Sequence, residues 1–309
     1  MIAITGGVLC AGNIVEDLLV RPADKLVFDT TVWVDEIRTS LGGNGANTSY
    51  TLARLGVPVR LASVAGRDDA GDRCLAALSL AGVDTQSVQR SELPTPMTVV
   101  LVRSDGARAF FHRPGCAAEA FPIDLLPGPS HFHFGNVFAL PSYRALLGDV
   151  MARAQEAGLT TSLDTGWDSR GEWAPVIDPA LAHTDILFVN HDEAERLSGE
   201  SDLSAAARHF LTRGVRLVVA KRGRKGCSVH AEGLELRVPG FRVEAVDSTG
   251  AGDCFAGAFL AALAHEMSAE DAARFANAVG ALNVREVGAV GGVRSFDETI
   301  AWMRSESRG

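Results

Sequence analysis

The sequence predicts an α/β fold: a three-layer α/β/α sandwich with a mostly parallel central sheet and helices on both faces. Two observations lead there. Short β-type runs alternate with helix-type runs along most of the 309 residues, and the helical stretches close on glycine. Composition agrees, since 47% apolar and 22% charged residues is ordinary for a folded globular chain of this length.

Taken in order, residues 14–20 and 30–37 read as extended segments with no helix between them. Residues 59–64 form the next strand, followed by an Ala/Leu-rich helix over 70–80 that ends at Gly82. Residues 97–102 and 108–112 are again extended, joined by a hairpin-type connection containing Asp105-Gly106. The strand 131–134 precedes a helix over 142–157 closed by Gly158, and strands follow at 159–163, 185–189 and 216–220. The two regions that break the rhythm, about 14–38 and 95–115, fit a small β-sheet projecting as a lid from one domain spanning 1–305. An edge hairpin of the main sheet is the plainer alternative for the second region.

The net charge of −9 disfavours nucleic acid as a partner. Five scattered cysteines, with no C-x-x-C pair, fit buried thiols in a reducing compartment and exclude a zinc or disulfide framework. No basic segment precedes Ile2-Ala3-Ile4, and no run of about 18 apolar residues occurs, so no membrane partner is expected and the expected location is cytoplasmic.

The segment 243–255 carries the chemistry. A strand over 243–246 is expected to enter a glycine turn, and a helix to leave it, because Phe255, Ala258, Phe259, Ala262 and Leu263 repeat at helical spacing. Gly250, Ala251 and Gly252 then sit at a helix N-terminus, where free N–H groups and the dipole favour an anion. Asp253 beside them would repel a phosphate unless its task is to take a proton from an incoming hydroxyl. Neither a Walker A loop nor a dinucleotide fingerprint is present. Helix capping is the plain alternative for Asp247 and Asp253.

Asp247-Ser248-Thr249-Gly250-Ala251-Gly252-Asp253, running on to Gly257-Ala258-Phe259, resembles the C-terminal signature of the ribokinase/PfkB family of carbohydrate kinases. Gly42-Gly43-Asn44-Gly45-Ala46-Asn47, with Gly56 and Gly66 following, resembles its N-terminal signature. The resemblance implies a ribokinase-like fold and transfer of the ATP γ-phosphate to a hydroxyl of a small sugar or sugar acid. It implies Asp253 as base, with the amides of Gly250, Ala251 and Gly252 as anion hole. Asn190-His191-Asp192-Glu193 matches an N-x-x-E element, in which Asn190 and Glu193 organise Mg²⁺ through water. Lys221 and Gly223 match nucleotide contacts, and Asn277 a residue near the adenine. Asp17, Gly43, Asn44 and Asn47 fall on the acceptor side. Asp247, Thr249 and the Gly288-Ala289 loop match the surroundings of a monovalent cation, K⁺. A homodimer through the lid is implied by analogy.

Asn44 stands where pentose-specific relatives usually carry Lys, and the stretch from Asp164 to Trp173 loosely resembles the D-x-N-x-R…W element of fructokinase- and ketodeoxygluconate-kinase-like members. Both features count against ribose and leave hexoses and sugar acids open. Trp167, Arg170 and His112 are further residues whose contact with substrate the sequence leaves undecided. A nucleoside kinase and a silent sugar-sensing homologue are the other readings.

Overall fold

The computed structural model describes residues 2–125 and 127–306. Its strands are β1 (Val8–Ala11), β2 (Val15–Arg21), β3 (Glu36–Gly42), β4 (Val59–Gly66), β5 (Val88–Ser91), β6 (Met97–Val102), β7 (Arg108–Arg113), β8 (His131–Gly135), β9 (Thr160–Asp164), β10 (Ile186–Asn190), β11 (Leu217–Lys221), β12 (Cys227–Ala231) and β13 (Leu234–Val238). The helices are α1 (Asn44–Arg54), α2 (Asp69–Ala81), α3 (Leu147–Glu156), α4 (Ala174–Leu181), α5 (His191–Ser198), α6 (Leu203–Leu211), α7 (Ala251–Ala264), α8 (Ala269–Asn283) and α9 (Phe296–Glu306).

Nine strands make one sheet in the order β13-β12-β11-β10-β9-β8-β1-β4-β5. It is parallel from β5 through to β11, and only β12 and β13 run antiparallel at its far edge. Apolar residues of α1, α2, α7 and α8 cover one face, and those of α3 to α6 cover the other. This is the three-layer α/β/α arrangement that the sequence predicts. Parallel strands buried on both faces need continuous apolar runs, which Ile186–Val189 and Leu217–Ala220 supply. Functional groups collect beyond the carboxyl ends of such strands. Asp164, Asn190 and Lys221 stand there as the last residues of β9, β10 and β11.

The remaining four strands form a separate sheet, β3-β2-β6-β7, so the 97–113 hairpin belongs to a second sheet and not to the edge of the first. Three expectations are corrected. The third strand lies at Glu36–Gly42 rather than 30–37, because β2 pairs in the register Val15↔Gly42 to Arg21↔Glu36 and leaves the β-branched run before it unpaired. The helix expected over 142–157 begins only at Leu147, after a 3₁₀ turn at Pro141–Tyr143. No strand forms over 243–246, where the Val246 and Asp247 amides bond to the Val284 carbonyl instead of to a neighbouring strand. All five cysteines are buried and free. No described helix is long and apolar enough to cross a membrane.

Candidate active site

The helix α7 opens directly on the glycine turn, with Gly250 at its N-cap in the left-handed region at φ 68. A side chain at Gly250 would overlap the Ala289 carbonyl, and its Cβ would lie 2.8 Å from the Ala289 Cβ. Glycine is therefore required both by conformation and by the closeness of the 288–292 loop. The first helical bond is Cys254 N–H to the Gly250 carbonyl at 2.9 Å. The Ala251 amide turns back to the Ser248 carbonyl at 3.4 Å, and the amides of Gly252 and Asp253, the next in the first turn, face out of the helix end, toward any anion placed there.

Asp253 is the third residue of α7 and is buried. Its two carboxylate oxygens accept from the side-chain amides of Asn44 at 2.7 Å and Asn47 at 2.8 Å, both on the first turn of α1. Burial is the main cause that raises its pKa, the Asp164 charge adds to it, and the two amide bonds oppose them. Gly43 caps α1 at φ 95, with the Asn13 carbonyl 2.5 Å from where a Cβ would sit. Its glycine requirement comes from the backbone turn that aims Asn44 and Asn47 at Asp253. Neither Asn caps the helix.

Lys221 ends β11 and reaches into the same centre. Its ammonium holds both oxygens of Asp164 at 2.8 and 2.7 Å and lies 3.4 Å from the position a Cβ on Gly252 would occupy. Burial works against that charge, but Asp164 and Glu193 outweigh it and raise the pKa. A fixed cation thus stands beside the helix-end amides. On the same strand ends, Asn190 caps α5 and forms a reciprocal box with Glu193; the Glu193 oxygen that accepts the Asn190 backbone amide also accepts from the Thr165 hydroxyl at 3.1 Å. Burial raises the Glu193 pKa against the pull of Lys221. No group of three or more His, Cys, Asp or Glu among the described residues could hold a metal unaided. One buried carboxylate and one amide suit Mg²⁺ that keeps its waters and takes its remaining ligands from phosphates. A cleft of about 350 Å³ opens next to them, lined by Asn190, Asp192, Lys221, Arg222, Gly223 and Lys225 among others.

Asp17 lies on β2 with its carboxyl pKa pushed up to about 7, by burial first and by repulsion from Asp247 and Asp253, against a bond from Thr98. The structure brings Asp17, Asn44, Asn47, Asp253, Asn190, Glu193 and Lys221 into one neighbourhood. Asn277 stands apart in its bonding: its amide nitrogen donates to the Val238 and Pro239 carbonyls at 3.2 Å and ties α8 to the end of β13. Asp247 and Thr249 are bonded to each other through the Thr249 amide and hydroxyl at 2.9 and 2.7 Å. His112 bonds Thr98 at 3.1 Å on the face of the small sheet that carries Asp17. Trp167 is half exposed and stacks edge-on with Trp173 under Arg196. The Arg170 amide bonds Asp168, a buried carboxylate that also takes the Glu172 and Trp173 amides and Arg144.

The sequence assigns no role at this centre to two residues that the structure places in it. Asp164 is the partner of Lys221, and Asn136, in the left-handed region at φ 51 after β8, donates to the Asn44 side-chain oxygen at 2.9 Å. An Asn following a Phe-Gly strand end was the one available signal for the latter. The side-chain oxygens of Asn47 and Asn136 are buried and lack a hydrogen-bond partner. An acceptor-rich recess of this kind wants donors, and hydroxyl groups supply them.

A helix-end anion cradle, a buried carboxylate and a fixed lysine at the carboxyl ends of a parallel sheet define a phosphotransferase with an alcohol acceptor. The chain matches the profile of the pfkB family carbohydrate kinases over residues 7–295 and belongs to that family. It is 33% identical over 288 residues to an ATP-dependent ribose-1-phosphate kinase of Halopiger xanaduensis, covering 91% of this chain and 93% of that one. It is 30% identical to a probable fructokinase-3 of Arabidopsis thaliana, over 86% and 84% of the two chains. Among solved structures, an E. coli chain assigned as ribokinase II, in complex with ATP and Mg²⁺, superposes with a TM-score of 0.87 at 26% identity, over 97% and 99% of the chains.

Proposed function

We propose that this enzyme transfers the γ-phosphate of ATP to a hydroxyl of a small sugar or sugar acid, with Asp253 as the general base. The observation that carries this reading is the Asp253 carboxylate itself. It is buried beside the α7 amides, steadied by Asn44 and Asn47, and flanked by unpartnered amide oxygens. Asp17, Asn47 and Asn136 would receive the acceptor's hydroxyl hydrogens, leaving one hydroxyl to face Asp253. Asp253 takes that proton as the oxygen attacks phosphorus. The amides of Gly250 and Gly252, joined by that of Ala251 once it leaves the Ser248 carbonyl, hold with Lys221 the charge that spreads over the transferring group. The nucleotide would lie along the cleft that includes Gly223, toward Asn277. Mg²⁺, held through water by Asn190 and Glu193, would supply charge neutralisation between the phosphates. The four-stranded sheet would act as a lid, since closing a site over ATP excludes water as a rival acceptor.

The acceptors after which relatives are named set the panel to test: ribose 1-phosphate, fructose, ribose and 2-dehydro-3-deoxygluconate. Coupled ADP release with ATP should identify one of them. With that acceptor, Asp253→Asn should retain fold and nucleotide binding while kcat falls by roughly 10²–10⁴-fold. An unchanged kcat would refute the assignment.

A further inference from the structure

We propose that two arginines of the small sheet, Arg38 and Arg108, supply the positive charge at the Asp247 loop, and that the enzyme works without a monovalent cation. The residues expected to hold K⁺ do not fit one. Asp247 is buried, and both of its oxygens are engaged, one by the Thr249 amide and hydroxyl, the other by the Gly288 amide at 2.9 Å. The Arg108 guanidinium already stands 3.8 Å from that carboxylate and donates to the Thr249 hydroxyl at 3.0 Å. Three carbonyls round the loop are occupied as well. Asn283 donates to those of Ala289 and Thr249 at 2.9 and 3.4 Å, and Arg38 donates to that of Val287 at 2.7 Å.

A bare monovalent cation binds through oxygen lone pairs, and these oxygens face N–H donors. It would also have to sit beside a guanidinium, which stays charged at any working pH. A buried carboxylate needs one compensating charge, and Arg108 provides it. Arg38 and Arg108 occupy β3 and β7, the two edges of the small sheet, and share its inner face with Leu19 and Val100, which pack on Val287. The same loop presses the Ala289 carbonyl against Gly250 and accepts from the Cys254 thiol at 3.3 Å. The arginines are therefore positioning residues: they seat the 287–289 loop, and the loop seats the α7 amides.

The kinetic part of the test rests on the kinase reading, and the melting part does not. Protein exchanged from potassium into tetramethylammonium chloride at equal ionic strength should melt at the same temperature, and its kcat should change by less than about twofold. The double variant Arg38→Ala/Arg108→Ala should lose about tenfold or more of kcat in tetramethylammonium and recover part of it on adding K⁺. If it fails to fold, Arg108→Met, which keeps the stem and drops the charge, serves for the same comparison. A saturable K⁺-specific rise in the melting temperature of the unaltered protein would overturn the proposal. So would a double variant as active in tetramethylammonium as its parent, or one whose only defect is a higher KM for an anionic acceptor.

Discussion

Asp17 and Asp253 share a buried acidic neighbourhood with Asp247, and the sign of its pH response follows from which form each prefers. With its pKa raised to about 7, Asp17 keeps its proton in the fold over a range where the unfolded chain has lost it. The native state therefore binds more protons between about pH 4 and pH 7, and the Asp17 contribution to stability is largest at the acid end and is lost as pH rises through about 7. Asn at this position removes the titration. Asp17→Asn should flatten the fall in urea-unfolding stability over that range and leave the protein at least as stable as its parent near pH 8. The same variant should raise the acceptor KM at alkaline pH, where the parent presents a full carboxylate to hydroxyl donors. A variant that lost stability near pH 8 would show that Asp17 is held by contacts the acidic cluster does not describe. Asp253, the proposed base, behaves in the complementary way in turnover. A base must be unprotonated, so kcat/KM should fall as pH drops through its raised pKa, and the acid limb should vanish in Asp253→Asn together with most of the rate.

At the scale of elements, the parallel core was legible and the pieces fixed by distant pairing were not. Strands β4, β8, β9, β10 and β11 and helix α2 fall within a residue or two of their expected positions, because each is an apolar run closed by a local signal such as Gly82. The run 30–34 has the stronger β composition, yet β3 forms at Glu36–Gly42, where it can pair with β2 and lead straight into Gly43 and α1. The antiparallel edge β12–β13 and the short β1 gave too little pattern to be seen. The site divides the same way. Gly250 to Asp253, Asn44 and Asn47 sit in compact motifs, whereas Asp164, Asn136, Arg38 and Arg108 acquire their meaning only from partners brought in by the fold. Helix α7 depends on one residue in particular. Gly250→Ala would impose a left-handed alanine and overlap the Ala289 carbonyl, at a cost of about 1–3 kcal/mol. Denaturant unfolding should register that loss. The kcat should fall by more than stability alone explains, since the displaced amides no longer meet the transferring phosphate.

For the whole molecule, the small sheet has two faces with different fates. Its inner face carries Asp17, Thr98 and His112 toward the site and Leu19 and Val100 toward Val287. Its outer face presents Leu18, Val20, Val99, Ile37 and Phe111, with Ile37 62% and Phe111 56% exposed. The loop between β2 and β3 adds Phe28 at 83% and Trp33 at 89% exposure. Single exposed apolar residues are ordinary, but an apolar sheet face with an apolar loop joining two of its strands is the kind of surface a monomer rarely leaves in water. A second copy of this chain is the proposed occupant, seated on the small sheet. Sedimentation at micromolar concentration should then give a dimer. Ile37→Glu with Phe111→Glu should convert it to a monomer that retains the fold of the large sheet, since neither side chain touches that core. If the small sheet serves as the proposed lid, loss of the partner would also loosen it over the site, so the monomer should show a raised acceptor KM with little change in kcat. A parent protein that sediments as a monomer, or a variant that remains dimeric, would remove the small sheet from the interface.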